Sequence, residues 1–476
     1  MQHSRKLALF AVLSLVFALL LAACGDATNT SAPATTAASS AATTAASKAT
    51  TAAASGAATT AAASGASSGT TLKGDPNLKG EVTVWGWNVA AKSLQANIEG
   101  FNKLYPNVKV TVPDIGRTDV YDKLTTGLSA GGSGLPDVVQ VESDHMDIYT
   151  SRFPEGFLDL TDKAGKYEKD FDPSKWAQSK AKGKIRSIPW DSGPVGIFYR
   201  TDMFQKAGVD ASKIETWDDW IDAGKKVVAA NPGAKFMAID YTKDDALYRM
   251  MLNQLGVFYF TEDGKINLTS PESVKAMTMI KKLNDAGLLI NAQGWDGVVS
   301  AMKNGQAATQ AFGVWWSGTI KDNSPESSGK WDAILMPAFE KGGNRASNLG
   351  GSTLAVLKNS KNPDAAWAFV EYCLATSEGQ NTMMKKFGIW PSYTPAYSDS
   401  FYSTPDPFFS NKPIWQTFAK EIPQIKPAYY TKDYDLALTA AANAQGEILN
   451  GSDPAKALEK AANDLKNQTG RELAAK

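Results

Sequence analysis

The sequence predicts an α/β protein built around parallel sheet. Strand-like and helix-like patterns alternate through residues 79–476. The first of them run strand, crossover helix, strand, which is the parallel α/β unit. The length of that stretch suits two domains. The first strand runs from Glu81 to Trp85 and leads into a helix carrying Leu94, Ile98, Phe101 and Tyr105 at spacings of four, three and four, a single apolar stripe. A second strand passes through Val108, Val110 and Val112, a third runs from Asp137 to Val141, and a fourth ends at Ile188-Pro189-Trp190.

Helix starts are marked later in the chain. Thr216 with Asp219 has the form of a capping box, and Ser270-Pro271, Asn362-Pro363 and Asp453-Pro454 each set a cap residue before a proline at the first helical position. Glu262 to Lys265 reads as a tight hairpin turn. Ala366, Phe369, Val370 and Cys373 form another apolar stripe, which makes Cys373 a core thiol. The strand from Thr353 to Leu357 follows a loop of small residues, Asn348 to Ser352, which suits either a close approach to a ligand or a tight turn.

The N-terminal segment stands apart from this body. Arg5 and Lys6 precede an apolar run from Leu7 to Leu21, short for a membrane span, so residues 1–23 are expected to be a signal peptide. Leu21-Ala22-Ala23-Cys24 looks like a bacterial lipobox, with Cys24 as the lipidated residue; an accidental cysteine in a secreted protein is the alternative. Residues 24–78 are expected to form a disordered Ala/Thr/Ser-rich tether, since few of their side chains could offset the entropy of ordering them. As a coil it reaches roughly 40 Å.

Composition removes several functions. Lys and Arg number 49, as do Asp and Glu, and no long basic run exists, so nucleic acid is not an expected partner. His3 and His145 are the only histidines, which excludes a histidine-built zinc site and leaves any Ser/His/Asp relay to His145 alone. Two cysteines make no disulfide framework. Phosphate-loop, dinucleotide, nucleophile-elbow and calcium-loop motifs are missing.

In an open α/β sheet, ligands bind beyond the carboxyl ends of the strands. There the sequence places Trp85, Trp87 and Asn88 after the first strand, Glu142 to His145 after the third, and Trp190 and Asp191 after the fourth. Aromatic faces cover the C–H face of a sugar ring while Asp and Asn oxygens accept hydrogen bonds from its hydroxyls, so the set suits a neutral polyol. Core packing competes for Trp85 and Trp87, helix capping for Asp144, and a turn at Ser192-Gly193-Pro194 for Asp191. Trp315 and Trp316, taken as strand neighbours, point to opposite faces, so at most one meets a ligand. Trp390 is a further aromatic at a chain reversal. Tyr429-Tyr430 allows ferric iron but more simply serves the surface or core.

The ordered set of motifs VTVWGWN (Val82 to Asn88), LPDVVQVES (Leu135 to Ser143), GKIRSIPWDSGPVGIFYRTDMFQKAGV (Gly183 to Val209), DGKINLTSPESVKAM (Asp263 to Met277) and GGSTLAVLKNSKNPDAAWAFVEYC (Gly350 to Cys373) resembles the extracellular solute-binding proteins of ABC transporters, in the carbohydrate-binding group that includes maltose-binding protein. The resemblance covers nearly all of the chain after Lys79. It implies an α/β two-lobe periplasmic-binding-protein fold of the Venus-flytrap, class II type, with the ligand cleft between lobes. Residues 79–190 plus about 335–388 would form the N-terminal lobe, and 191–334 plus about 389–476 the C-terminal lobe. Crossings are expected near Trp190 to Gly196, Ala333 to Phe339 and Lys386 to Trp390. Ligand-binding positions carry over to Trp87, Asn88, Asp144, Trp190, Asp191, Trp315, Trp316, Gly350, Gly351, Ser352 and Trp390, with no catalytic residue, metal or cofactor. Arg186 departs from the family, where an aromatic is common. The implied protein is a monomeric, lipid-anchored receptor on the outer face of the bacterial cytoplasmic membrane, at the cell surface or in the periplasm. Its expected partners are a mono- or oligosaccharide and the transmembrane subunits of an ABC permease. The alternatives are a binding protein for ferric iron, a polyamine or a peptide, a glycoside-active enzyme, and a wall-associated structural protein.

Overall fold

Among the described residues, ten strands and their connecting helices build two five-stranded sheets, and two further strands pair as a hairpin. The computed structural model describes residues 70–475. The expected signal peptide, Cys24 and most of the expected tether lie outside the described residues.

The strands are β1 (Gly80–Trp85), β2 (Val108–Thr111), β3 (Val138–Glu142), β4 (Lys180–Ala181), β5 (Lys184–Ile185), β6 (Ile188–Pro189), β7 (Val195–Arg200), β8 (Lys235–Ile239), β9 (Leu289–Asn291), β10 (Ala307–Gly313), β11 (Trp331–Leu335) and β12 (Ser352–Val356). The first sheet has the order β2-β1-β3-β12-β6, the second β11-β7-β10-β8-β9, and β4 with β5 makes a separate hairpin. β1 pairs in parallel with both neighbours, while β12 runs antiparallel between β3 and β6. A strand more than 150 residues downstream of β6 therefore completes the first sheet. This returning strand makes the architecture the two-lobe, class II form.

Side-chain alternation explains why the first sheet is covered on both faces. Val82, Val84, Val138, Leu354 and Val356 pack on one side with Leu94, Phe101, Phe369 and Cys373. Val139, Val141 and Ala355 pack on the other with Val120, Leu124 and Trp87. Burying each large aliphatic or Phe side chain contributes about 1.5–3 kcal/mol. The stripe beginning at Leu94 is divided between helices Asn88–Gln95 and Ile98–Leu104, because the Asn97 N–H bonds only three residues back, to the Leu94 carbonyl at 3.0 Å. Thr216 and Asp219 close the capping box, and Ser270 and Asp453 cap their helices. Asn362 does not cap: its amide donates to the Glu81 carbonyl at 2.9 Å. Arg186 is buried and donates to the Phe157 carbonyl at 2.9 Å, a polar substitute for an aromatic contact.

Residues 70–78, assigned to the tether by composition, lie against the first lobe. Leu72 and Leu78 pack on its core, and the Asp75 N–H reaches the Leu104 carbonyl at 3.2 Å. Two apolar side chains suffice to end the coil early.

Three segments cross between the lobes. The Ser192 N–H donates to the Trp390 carbonyl at 3.0 Å and the Ser392 N–H to the Trp190 carbonyl at 3.1 Å. The Leu349 N–H donates to the Gly193 carbonyl at 2.8 Å and the Val195 N–H to the Ser347 carbonyl at 3.0 Å. Ser192-Gly193-Pro194 is accordingly not a turn but extended crossing chain. A Cβ at Gly193 would come within 2.1 Å of the Leu349 carbonyl oxygen, so only glycine permits this pairing. The middle crossing lies near 346–352 rather than 333–339. Residues 336–345 stay with the second lobe through the Ala338 N–H to the Glu215 carbonyl at 2.8 Å and Arg345 Nε to the Met336 carbonyl at 2.6 Å.

Candidate functional site

The first-lobe wall is built from strand ends. Past β3, Glu142 Oε2 accepts from Arg117 Nε at 2.7 Å and from the Tyr121 hydroxyl at 2.9 Å. The Asp144 carboxylate meets His145 Nδ1 at 2.6 Å, and the imidazole stacks on Tyr121 with centroids 4.8 Å apart. Tyr121 in turn lies 5.6 Å from Trp87. Past β1, Asn88 is exposed and left-handed, φ 52°, a conformation Asn tolerates better than most residues; its N–H donates to Asp114 Oδ1 at 2.7 Å.

The wall is charged and internally paired. Burial works against the His145 charge, but Asp144, Asp435 and Glu142 outweigh it and push the imidazole up to about 10. Burial likewise opposes the Asp144 charge, and His145 overcomes it, holding this carboxyl well below the usual carboxylate range. The same histidine bridges the lobes: Nε2 lies 3.2 Å from Asp435 Oδ1, and the ring meets Tyr434 edge-on at 5.7 Å. Asp435 sits in the first turn of the helix Tyr434–Leu449.

The second-lobe wall is aromatic. β10 ends at Gly313 and the chain turns through Val314 and Trp315 into the helix Trp316–Asn323. Trp315 is half-buried, packs against the cores of both lobes, and donates Nε1 to the Leu349 carbonyl at 3.1 Å. Beside it stands Trp295, 40% exposed, with its ring 6.0 Å from Trp315 and edge-on to Trp316 at 5.3 Å. Phe312 backs Trp315 at 5.3 Å. An exposed indole held by other aromatic rings is a rigid apolar platform.

Between the walls run the crossing segments. Asp191 Oδ1 accepts the Ser352 N–H at 2.6 Å, and burial drives this carboxyl up to about 7 despite that bond and the nearby Lys175 charge. Lys175 is itself buried, with its pKa lowered chiefly by desolvation, and its ammonium donates to the Gly350 carbonyl at 2.8 Å. Gly350 and Gly351 hold φ of 84° and 104°, and a Cβ at Gly351 would lie 2.7 Å from Lys175 Nζ. Ligand atoms of Glu142, Asp144 and His145 lie within 4.8 Å of one another, which would allow a cation, but each already has protein partners.

A family model of the bacterial extracellular solute-binding proteins matches residues 85–380. The chain belongs to that family. The lactose-binding protein of Rhizobium radiobacter is 33% identical over 378 residues, which are 76% of this chain and 87% of that protein. The arabinooligosaccharide-binding protein of Bacillus subtilis (strain 168) is 26% identical over 407 residues, 82% of this chain and 92% of that one. Among solved structures, the ABC transporter associated binding protein from B. animalis subsp. lactis Bl-04 in complex with β-1,6-galactobiose has a TM-score of 0.70 at 28% identity, covering 84% of this chain and 100% of that chain. Family membership places the protein outside the cytoplasm.

In this solute-binding protein the expected site residues divide. Asn88, Asp144, Trp315 and Gly350 keep accessible surface beside the crossings, and Asp191, Gly351 and Ser352 form the crossings' own contacts. Trp190, Trp316 and Trp390 are packed away, at 1%, 0% and 1% exposure. Trp190 Nε1 donates to Met383 Sδ at 3.2 Å within the first core, and Trp390 Nε1 to the Tyr397 hydroxyl at 3.0 Å. Trp190 and Trp390 fill volume at paired crossing segments and Trp316 fills the second core, a correction to their expected place at the ligand surface. Trp87 is nearly buried as well. The adjacent tryptophans do split, one outward and one inward, but at a turn into a helix rather than along a strand. Asp144 does not cap the following helix; its carboxylate is held by His145.

Sequence reasoning missed Trp295, Tyr121, Lys175 and Asp435. Trp295 follows the three-residue strand β9, so the strand-end rule applies to it, but a strand that short leaves no alternation to read. Asp435 comes from a helix far along the chain, and only tertiary structure sets it against His145.

Proposed function

We propose that this protein is the lipid-anchored substrate-binding subunit of an ABC importer, capturing a mono- or oligosaccharide between its lobes and delivering it to the permease. Trp295 carries the reading: an exposed indole, backed by Trp315 and Trp316, stands on one lobe while Asn88 and Asp144 stand at the strand ends of the other. The ring platform suits the C–H face of a pyranose, and the carboxylate and amide suit its hydroxyls. Closure follows from ligand contacts on both lobes that an open form cannot make together. Lactose and galactobiose, the sugars of two relatives, are therefore the first probes. Lipidation at Cys24 is the anchor in this reading, and binding without turnover is its chemistry.

The ferric-iron alternative has less support. The Tyr429 hydroxyl lies 3.4 Å from Glu262, whereas Tyr430 packs on Phe258 and Tyr434, so the two phenols serve different neighbours. Titration calorimetry of the purified protein with lactose, β-1,6-galactobiose, maltose, ferric citrate and spermidine tests the proposal. It expects micromolar or tighter affinity for a sugar, about −8 kcal/mol or better, and no release of reducing ends. Binding of iron or spermidine with no sugar affinity would overturn it.

A further inference from the structure

A small cavity in the second lobe shares only Phe312 with the residues described at the site. Its volume is about 20 Å³, room for one water-sized group. Ile239, Met250, Val298 and Phe312 contribute apolar surface to its lining, and Gln310 and Gln445 contribute amides. Both glutamines are buried, at 3% and 1% exposure, and the side-chain carbonyl oxygen of each has no hydrogen-bond partner among the described residues. The orientation of Gln445 is determined by its other end: Nε2 donates to the carbonyls of Asp240 at 2.9 Å and Asp244 at 3.2 Å, which leaves Oε1 as the free acceptor.

Two features connect this cavity to the cleft. It sits at the carboxyl ends of β8 and β10, the edge an α/β lobe presents to ligand. Phe312 belongs both to the cavity and to the aromatic wall, 5.3 Å from Trp315 and 6.3 Å from Trp295. The half-exposed Asp244 also belongs to the cavity lining, held by Arg249 at 2.8 Å.

Resting on the sugar-binding reading, we propose that the Gln310–Gln445 cavity is a subsite for the hydroxymethyl group of a hexose. The chemistry matches in two parts. The hydroxyl is the one water-sized group the cavity holds and donates its single hydrogen to one of the two unpaired amide oxygens, while the methylene meets the apolar part of the lining. A dry apolar gap would exclude the hydroxyl, whereas an unmet amide carbonyl in low dielectric favours whatever donor reaches it. The subsite would make the protein prefer hexoses over pentoses, because a pentopyranose has no exocyclic arm to place there.

The test is calorimetry on the whole purified protein. Lactose, β-1,6-galactobiose and maltose are compared first, and the tightest is then measured in each form lacking one primary hydroxyl: two forms for lactose or maltose, one for β-1,6-galactobiose, whose other O6 is in the linkage. The proposal expects one deoxy form to bind wild type at least fivefold more weakly, and Gln310→Met to reduce that difference to less than twofold, with thermal melting confirming the fold. Equal binding of the parent and every such deoxy form to wild type overturns the subsite, and needs no variant. An unchanged difference in a folded Gln310→Met protein also overturns it. If wild type binds none of the three parent sugars, the sugar reading fails and takes the subsite with it, an outcome distinct from the other two.

Discussion

The first-lobe and second-lobe groups are built by opposite means. At the end of β3, Arg117, Tyr121, Glu142, Asp144 and His145 hold one another through ion pairs and stacking, so their charges are fixed before any ligand arrives. Beside the turn after β10, Trp295 keeps 40% of its surface exposed and packs on the rings of Trp315 and Trp316. Hydrogen-bonding groups must be pre-oriented because an unpaired buried charge is costly, whereas an apolar face gains when any matching surface displaces water. The charged wall is thus suited to discrimination and the aromatic wall to general affinity.

That contrast is most easily broken within the aromatic wall. Trp316→Ala removes a fully buried ring and is expected to cost about 3–5 kcal/mol of stability, read as a lowered denaturation midpoint. Full stability in this variant would mean that the platform has no packed backing.

The buried acids differ in the same way as the walls. Asp144 has His145 and is held low, while burial pushes Asp191 up to about 7 from an ordinary 3.8 despite a backbone N–H and the Lys175 ammonium. A raised folded-state pKa means stability that is fully present below about pH 4 and lost as pH rises to about 7. Relative to Asp191→Asn, wild type should therefore lose stability between those values and run parallel above them. Thermal melts of both proteins from pH 4 to 8 check this, and parallel curves throughout would show that Asp191 is ionised across the range.

Trp295→Ala is the next smaller effect, since the ring is partly exposed. It should weaken sugar binding about tenfold, close to 1.4 kcal/mol, with the melting temperature nearly unchanged. A large loss of stability with intact affinity would make Trp295 a packing residue like its neighbour.

The smallest effect is expected at the bridge between the walls. Asp435→Asn weakens the contact with His145, but the aspartate side chain is 61% exposed and solvent screens the pair. About a threefold loss of affinity is expected, greater at low salt than at high salt. An unchanged affinity at low salt would mean that the pair does not favour closure.

Much of the fold was legible before the coordinates. Alternation located β1 and β2, and a short apolar run located β3, to within a residue or so, and the caps at Thr216, Ser270 and Asp453 follow from local chemistry. The site was legible only in outline. Residue type placed tryptophans near strand ends, but Trp190, Trp316 and Trp390 carry no local signal that separates a ring packed between segments from one facing solvent. Trp295 was overlooked because β9 has only three residues.

What the sequence determined by itself is whatever depends on neighbours a few positions away: strand and helix periodicity, and capping. Tertiary structure alone decided which indole stays exposed, that the middle crossing runs near 346–352, and that Asp435 meets His145 from a helix nearly 300 residues downstream. Those outcomes depend on how two independently packed lobes meet, and side chains brought together by that meeting leave no periodic trace in either segment.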